Sequence, residues 1–470
     1  MRDEDRINVE ELAPSEVGEV DLYQKREKIY TRKIEGFFQR MRLFTGWPLL
    51  LGYLLLPWFQ WHGRQSVLFD LPARQFNIFG LTFWPQDFPL LAWLLIIAAL
   101  SLFAVTVVAG RVWCGYSCPQ TVWTSIFMWA EQRTEGSRNQ RIKLDQAPWT
   151  LDKVLRKSAK HAIWVGVSLA TAITFVGYFT PIRQLLPDLL TFDASGWAVF
   201  WIGFFTTSTY INAGWLREQV CMYMCPYARF QSVMFDSDTM IVSYDAGRGE
   251  PRGSRKRGQQ SAPSGLGDCI DCQLCVQVCP TGIDIRNGLQ YQCIGCALCI
   301  DACDSVMDKM HYPRGLIRYT TENSLLGKPT RLLRPRLIGY VAAIVAMIAL
   351  FSFTVLSRVP LRIEVERGRN QLFTESAEGY VENVYSLKVL NMDQSPHRYR
   401  LEVASPIPLQ WLGSQEVTLA AGQVLELPLR LKADPADLNA PNVEIRFIAT
   451  NVDRPKHRAE TESRFLGPVK

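Results

Sequence analysis

The sequence predicts a polytopic α-helical membrane protein of about five spans, with a cysteine-rich soluble insert and a C-terminal all-β domain. Three observations predict this fold class. The chain of 470 residues is 48% apolar, and several windows of about 20 residues contain almost no charge. All 12 cysteines lie between residues 114 and 303, and residues 358–470 read as short alternating strands. A soluble globule, a disordered chain and a secreted disulfide scaffold are thereby excluded.

Five windows are long and apolar enough to span a bilayer, and none has the polar stripe of an amphipathic surface helix. The first window contains two prolines, which membrane helices tolerate when neighbours satisfy the freed backbone groups. The first four windows form two successive two-span units, so they predict a duplicated core. The predicted spans are 43–61, 88–110, 161–180, 197–215 and 337–357.

Lysine and arginine alternate between rich and poor connections, as the positive-inside rule requires. Residues 1–42 and 111–160 hold nine each and residues 216–336 hold fifteen, whereas the short loops 62–87 and 181–196 hold three together. The rich segments, and with them every cysteine, are therefore predicted to be cytoplasmic, and the C-terminal domain is predicted to be exported. Thiols in a reducing compartment favour metal or cluster ligation over disulfides.

The strongest motif is a doubled run of cysteines that is typical of two-cluster bacterial ferredoxins. Each run has the spacing C-x2-C-x2-C-x3-C, and the fourth cysteine of each run ligates the cluster of the other run. The alternative, a pair of zinc knuckles, is disfavoured by eight cysteines at this doubled spacing. Because all eight serve as ligands, the pattern predicts electron transfer and not catalysis at iron. One [4Fe–4S] cluster is predicted on Cys269, Cys272, Cys275 and Cys303, and the second on Cys293, Cys296, Cys299 and Cys279.

A second motif, C-x-Y-x-C-P-x5-S, occurs at Cys114 with Cys118 and again at Cys221 with Cys225, each time after the second span of a two-span unit. In a parallel repeat the two pairs converge near the repeat axis. The proline after each pair predicts a helix N-terminus, where the helix dipole favours thiolate. This soft sulfur set favours Cu(I), zinc or a further iron–sulfur cluster. Buried packing thiols and a redox-active disulfide are the alternatives left open.

Two methionines add weaker candidate donors to the second copy of this motif. Met222 and Met224 lie between Cys221 and Cys225. Their thioethers are soft ligands of the kind that Cu(I) prefers. They are therefore predicted as weak copper ligands beside the four thiols.

The remaining segments complete a six-part organisation. Residues 247–267, rich in Gly, Ser, Pro and Arg, predict a flexible basic linker near anionic lipid. No nucleic-acid role is expected, because no nucleic-acid-binding fold accompanies the basic stretch. Short strands after residue 358 predict an immunoglobulin-like (Ig-like) sandwich. The predicted parts are a cytoplasmic N-terminal segment (1–42), a four-span core (43–246), the linker (247–267), a ferredoxin domain (268–320), a connector with the fifth span (321–357) and the exported Ig-like domain (358–470).

The combination of these parts resembles the cytochrome c oxidase accessory protein family, named CcoG, FixG or RdxA. The resemblance covers nearly the whole chain beyond about residue 30. It implies a protein of the bacterial inner membrane that acts as a cytoplasmic cupric reductase during assembly of a haem–copper oxidase. It also implies that Cys114, Cys118, Cys221 and Cys225 handle copper as a substrate or bound ion.

The same resemblance implies a set of partners. These are the lipid bilayer, an unidentified electron donor, a copper chaperone or transporter, and oxidase assembly factors, and a homo-oligomer is left open. Two other functions stay open from the residues alone. A quinol-linked electron relay to another reductase predicts quinol oxidation, and a non-enzymatic copper-binding assembly factor predicts copper binding without turnover.

Overall fold

The computed structural model of the protein describes residues 28–61, 63–255, 265–368, 371–393, 395–438 and 440–468. Residues 1–27 of the predicted N-terminal segment and residues 256–264 of the predicted linker lie outside this description. Two π-helical segments, Tyr210–Leu216 and Val220–Met224, lie between the helices Gly196–Thr209 and Pro226–Met234. The helices are α1 Phe37–Leu55, α2 Phe88–Ala109, α3 Val112–Tyr116, α4 Pro119–Thr134, α5 Arg138–Gln146, α6 Leu151–Gly177, α7 Ile182–Thr191, α8 Gly196–Thr209, α9 Pro226–Met234, α10 Ala246–Gly249, α11 Leu274–Val278, α12 Leu298–Met310, α13 Glu322–Leu325 and α14 Pro335–Leu356.

A helix occupies each of the five predicted spans, but fewer than five meet the criteria for crossing a membrane. Among the described residues, α2, α6 and α14 are long and apolar enough. α7 and α8 with its π-helical extension meet the criteria only as a pair, and they form an angle of 95°. α1 is not in this set, since Arg40 and Arg42 lie near its start and it ends at Leu55 instead of residue 61. By length and composition the structure therefore supports three or four spans.

Short strands occupy the connection between α1 and α2, which the sequence analysis treats as a loop. They run for two to four residues, which is too short for side-chain alternation to reveal them. Gln65 anchors them to the core by donating a hydrogen bond of 2.7 Å to the Gly177 carbonyl at the end of α6. β1 pairs with β2, and β3, β4 and β5 form a separate antiparallel sheet. The strands are β1 Gln60–Trp61, β2 Arg64–Gln65, β3 Val67–Asp70, β4 Gln75–Ile78 and β5 Leu81–Phe83.

α2 and α14 pack against each other in antiparallel directions and hold two domains apart. Arg358, just after α14, forms an ion pair of 2.6 Å with Asp87, just before α2. Arg334, just before α14, donates a hydrogen bond of 2.7 Å to the Val107 carbonyl near the end of α2. Each helix has 22 residues, or roughly 33 Å at 1.5 Å per residue. The all-β domain begins at one end of this pair and the cysteine-rich domain lies at the other.

The cysteine-rich domain uses chain from both sides of the predicted linker. β6 (Ile241–Tyr244) pairs antiparallel with β7 (Ile317–Thr320), and α11 packs on α12. The first of these strands precedes residue 247, so the domain reaches into the segment predicted as membrane core. The described flanks of the linker are held together by an ion pair of 2.6 Å between Arg248 and Asp268.

The C-terminal domain is an Ig-like sandwich of two antiparallel sheets. One sheet has the order β12-β14-β10-β8 with β9 beside β10, and the other has the order β13-β11-β15-β16. Tyr385, Leu387, Tyr399, Phe447 and Phe465 are buried between them. The strands are β8 Leu361–Arg367, β9 Thr374–Glu375, β10 Val381–Asn391, β11 His397–Ala404, β12 Gln410–Leu412, β13 Glu416–Leu419, β14 Val424–Ala433, β15 Asn442–Asn451 and β16 Arg458–Leu466.

Candidate redox site

Two cavities of the cysteine-rich domain are lined by thiols in the two sets that the doubled motif predicts. Cys275 lines both, so the two cavities are adjacent. Apolar side chains complete most of each wall, and no carboxylate lines either one. Four soft sulfur donors in an apolar wall fit the needs of a [4Fe–4S] cluster, while the ligand role of each cysteine stays a prediction. The first cavity is lined by Cys269, Cys272, Cys275 and Cys303, and the second by Cys279, Cys293, Cys296 and Cys299.

The four remaining cysteines, Cys114, Cys118, Cys221 and Cys225, are called the quartet below. Cys118 is the N-cap of α4 and Cys225 is the N-cap of α9, and each is followed by Pro at the first helical position. Cys114 lies in α3, and Cys221 lies in the π-helical segment Val220–Met224. All twelve cysteines lie among the described residues, and none of them forms a disulfide. The structure therefore contains two similar turns that each present two thiols.

Hydrogen bonds cross-link the two turns as a pseudo-two-fold pair. Gln120, two residues after Cys118, donates a hydrogen bond of 2.8 Å to the Asn212 carbonyl in the second repeat unit. Tyr227, two residues after Cys225, shares a hydrogen bond of 2.6 Å with Thr106 in the first unit. Each turn thus reaches across to the helix of the other unit. This exchange is what brings the two thiol pairs to one place.

The thiols of the quartet interact electrostatically with one another. Burial raises the pKa of Cys114 to about 12; the neighbouring Cys118, Cys221 and Cys225 raise it further, while Arg111 opposes them. Burial also raises the pKa of Cys221, to about 11, and that of Cys118. Backbone N–H groups at the start of α4 lower the pKa of Cys118, as the helix dipole predicts, but burial outweighs them. The expected thiolate stabilisation at the helix N-terminus is therefore too weak to prevail.

The first turn also has a buried polar partner on α9. Cys114 donates a hydrogen bond to the Gln231 side-chain oxygen, with a sulfur–oxygen distance of 3.6 Å. Gln231 is fully buried and donates to the Gly110 carbonyl at 3.2 Å. Met224, in contrast, is 60% exposed, beside Cys225. This one of the two thioethers predicted as weak donors therefore lies at the surface, next to the half-buried thiols.

The quartet lies directly against the loop that carries the second cluster set. A Cβ atom added to Gly115 would lie 2.9 Å from the Cys296 Cα and 2.9 Å from the Gly295 carbonyl oxygen. Gly295, with φ of +65°, adopts a backbone conformation that favours glycine. Cys114 packs against the apolar cluster that contains Cys296. Gly115 and Gly295 thus allow the backbone of the first quartet turn to contact the backbone of the loop that carries the second cluster set.

Arg111 fastens this contact. Its guanidinium donates to the carbonyls of Tyr291 at 2.5 Å and Cys293 at 3.1 Å, in the cluster loop. It also donates 3.0 Å to the Ala228 carbonyl, three residues after Cys225. One buried charge therefore joins both quartet turns to the cysteine-rich domain.

The spacing of the thiols bears on what they could hold. In the part of the chain that the structure describes, no three His, Cys, Asp or Glu side chains are close enough to share one metal ion. This applies to the quartet and equally to the eight cysteines of the two cavities. For the quartet, the Cu(I), zinc and iron–sulfur alternatives of the sequence analysis therefore all stay open.

Comparison with known proteins gives three matching families. "4Fe-4S dicluster domain" matches residues 216–322, "4Fe-4S binding domain" matches residues 91–134, and the Ig-like fold at the C-terminus of FixG matches residues 351–468. The nitrogen fixation protein FixG of Rhizobium meliloti is 41% identical over 408 residues, which is 79% of this chain and 78% of that protein. This chain belongs to the FixG/RdxA family.

Two further relatives complete the comparison. Protein RdxA of Cereibacter sphaeroides is 42% identical over 398 residues, covering 81% of this chain and 83% of that protein. A crystal structure of a FixG-related protein from Vibrio parahaemolyticus is 39% identical and covers 23% of this chain and 98% of its own, with a TM-score of 0.22. The matches confirm the family resemblance and support an iron–sulfur electron-transfer protein with a C-terminal Ig-like domain.

Sequence reasoning missed several residues around the quartet of this FixG/RdxA-family chain. Arg111 could have been found as the charged residue that follows a 22-residue apolar helix after a single glycine. Gln231 carried no signal, because a lone glutamine in a short helix is ordinarily a surface residue. Gly115 and Gly295 lie within the motifs, but their role depends on a domain contact that spacing does not reveal.

Proposed function

We propose that this protein is a membrane-bound iron–sulfur electron-transfer protein that reduces Cu(II) to Cu(I) at the quartet, and that it thereby supports assembly of a haem–copper oxidase. The carrying observation is the contact between the quartet and the second cluster set. Gly115 touches the Cys296 backbone, and Arg111 ties both quartet turns to the Cys293 loop. Such a contact would give electrons a short path from the second cluster to the quartet.

The clusters, when bound, supply one-electron carriers at the two thiol-lined cavities. The quartet itself supplies soft sulfur ligands, which stabilise Cu(I) relative to Cu(II) and so favour reduction. Copper binding requires thiolates, so it releases protons from the half-buried thiols. One electron converts one Cu(II) to one Cu(I).

Sidedness is part of this proposal. The lysine and arginine distribution favours a cytoplasmic quartet and cysteine-rich domain. The α2–α14 pair, about as long as a hydrocarbon core is thick, holds the Ig-like domain at its opposite end. The Ig-like domain would then be periplasmic. A cytoplasmic copper source and periplasmic oxidase assembly factors are the partners that this arrangement suits.

The test uses the purified full-length protein with its clusters. The protein is reduced with dithionite and desalted, Cu(II) is added, and Cu(I) formation is followed with a Cu(I)-specific chelator. We expect Cys118→Ser with Cys225→Ser to abolish most of the rate, because serine removes the soft donors. Met222→Leu with Met224→Leu is the matched control in the same turn and is expected to keep most of the rate.

Two results would contradict the proposal. One is a serine variant that reduces copper as fast as the wild type with the same iron content. The other is a wild type that binds copper but forms no Cu(I), which would indicate a non-enzymatic copper-binding factor.

A further inference from the structure

A cavity of about 390 Å³ lies between α1, α4 and the cysteine-rich domain; it is separate from the two thiol-lined cavities, and Gly115 and Tyr116 of the first quartet turn line part of it. This volume falls in the range of small-molecule sites. α1 contributes Gln39, Trp47 and other residues of one face, and α4 contributes Val122, Ser125 and Trp129. The cavity is therefore formed by two helices that meet at the quartet end of the core.

The lining is amphipathic along its length. Leu43, Leu50 and Ile126 are among its apolar residues. Trp47 and Trp129 line it and are 52% and 51% exposed, so the apolar end opens between helices toward the surface that α1 presents. Arg32 and Lys33 are exposed at its other end, where water can enter. No Asp, Glu or His lines the cavity, so it does not suit a cation.

The inner wall of the cavity is the second cluster set. Val278 and Pro280 line it and flank Cys279, and Leu298 lines it and precedes Cys299. Tyr116 also lines it, with its hydroxyl 3.3 Å from that of Tyr319. Tyr319 in turn donates a hydrogen bond of 2.5 Å to the Gly295 carbonyl, inside the loop between Cys293 and Cys296. Neighbours of three of the four cysteines in that set thus face the cavity or touch its wall.

We propose that this cavity binds a membrane quinol, the electron donor of the protein. This inference rests on the proposed electron-transfer function and names its donor. An apolar mouth accepts an isoprenoid tail, while glutamine, serine and tyrosine side chains can hydrogen-bond the ring oxygens. A phospholipid would also suit such a lining. A redox-active quinol is favoured over a phospholipid, because residues adjacent to the predicted cluster ligands form the inner wall of the cavity.

The redox balance is simple. One quinol loses two electrons and two protons and becomes a quinone. The eight cysteines of the two thiol-lined cavities would hold two [4Fe–4S] clusters, each of which could take up one of these electrons. The two protons pass to water at the end of the cavity marked by Arg32 and Lys33.

α1 offers a matched pair of glycines for the test. Gly46 lines the cavity and is buried, and a Cβ there would meet Val122 at an ordinary contact distance of 3.5 Å. Gly52, six residues later in the same helix, is exposed with open space around its Cα. Gly46→Leu therefore fills the cavity, and Gly52→Leu makes the same substitution outside it. Ser125→Leu, whose hydroxyl bonds the Val122 carbonyl within its own helix turn, is a second filling variant should Gly46→Leu not fold.

The first readout is binding, measured on the full-length protein with a photoreactive azidoquinone and mass-spectrometric mapping. We expect labelling within residues 43–50 and 122–129, reduced at least tenfold by Gly46→Leu and unchanged by Gly52→Leu. The second readout is reduction of the clusters by decylubiquinol without copper, followed by EPR, which should fall in parallel. Reduction by dithionite should be the same in all variants.

Labelling outside these segments, or equal labelling in Gly46→Leu and wild type, would overturn the inference. A tightly bound phospholipid that is lost only in Gly46→Leu, with no quinone bound by the wild type, would overturn it too. Copper reduction after dithionite does not depend on this cavity. Its persistence in Gly46→Leu therefore separates a failure of the donor site from a failure of the proposed copper site.

Discussion

Replacing Gly115 with alanine tests whether the contact between the quartet and the second cluster set matters for electron transfer. The new Cβ would lie 2.9 Å from both the Cys296 Cα and the Gly295 carbonyl oxygen and 3.0 Å from the Cys296 nitrogen. Carbon contacts are optimal at about 3.5–4.0 Å, so the two backbones must separate by roughly 0.5–1 Å. Because all three atoms belong to the backbone, no side chain can rotate to relieve the contact.

Overpacking of this kind costs about 1–3 kcal/mol, which corresponds to a roughly 5–150-fold shift between docked and undocked forms. We expect Gly115→Ala to slow Cu(I) formation by dithionite-reduced protein several-fold, with unchanged iron content, and to speed hydrogen exchange in residues 293–297. Gly166→Ala in α6, where a Cβ meets nothing within 4 Å, is the matched control. An unchanged rate and unchanged exchange in Gly115→Ala would refute the argument that this contact carries electrons.

Three further predictions concern the residues that hold the site together. Arg111→Gln should weaken the docking of the cysteine-rich domain on the quartet turns by roughly 1.5–3 kcal/mol for each hydrogen bond lost from the charged donor. Hydrogen exchange in residues 291–296 should therefore become faster. Arg133→Gln, on the exposed face of α4, is the control and should leave this exchange unchanged. Glu131→Gln should cost about 3–5 kcal/mol, because it leaves two buried arginine partners without their carboxylate. Burial would raise the pKa of Glu131, but the two arginines outweigh it and hold the pKa below its usual range. Its stabilisation is therefore present above pH ~4.3 and lost as the pH falls further, so melting temperatures compared at pH 7 and pH 4 should change less in Glu131→Gln than in the wild type. Thr106→Val and Tyr227→Phe should couple by about 0.5–3 kcal/mol in a double-mutant cycle of unfolding, and a coupling of zero would argue against the pseudo-two-fold cross-link.

Periodicity and spacing predicted most of the architecture. The short alternating strands expected after residue 358 are present, because alternation over five or more residues is readable in sequence. β16 is hard to recognise from sequence, since charged residues alternate with half-buried positions and Phe465 is its one fully buried residue. The first predicted span extends beyond the end of α1, because the apolar residues after Leu55 form a 3-10 turn and a short strand.

The candidate site was predictable in its thiols but not in their surroundings. Spacing grouped the eight cluster cysteines, and the repeat of C-x3-C-P identified the quartet. What spacing does not encode is which surfaces touch. The contact of Gly115 with Cys296 and the reach of Arg111 to Tyr291 join residues about 180 positions apart. Such contacts depend on how the cysteine-rich domain docks on α3, and a single sequence holds no record of that orientation.

The central claim is that electrons stored in the cysteine-rich domain leave through the quartet to copper. The most direct measurement is the number of Cu(I) ions formed per chain in a single turnover of dithionite-reduced, desalted protein, with iron counted on the same sample. Two clusters hold about eight iron and deliver about two electrons per chain. We predict about two Cu(I) from the wild type and a background yield from the variant with serine at Cys114, Cys118, Cys221 and Cys225, both with about eight iron. Equal Cu(I) yields, or a loss of about four iron in the variant, would contradict the account.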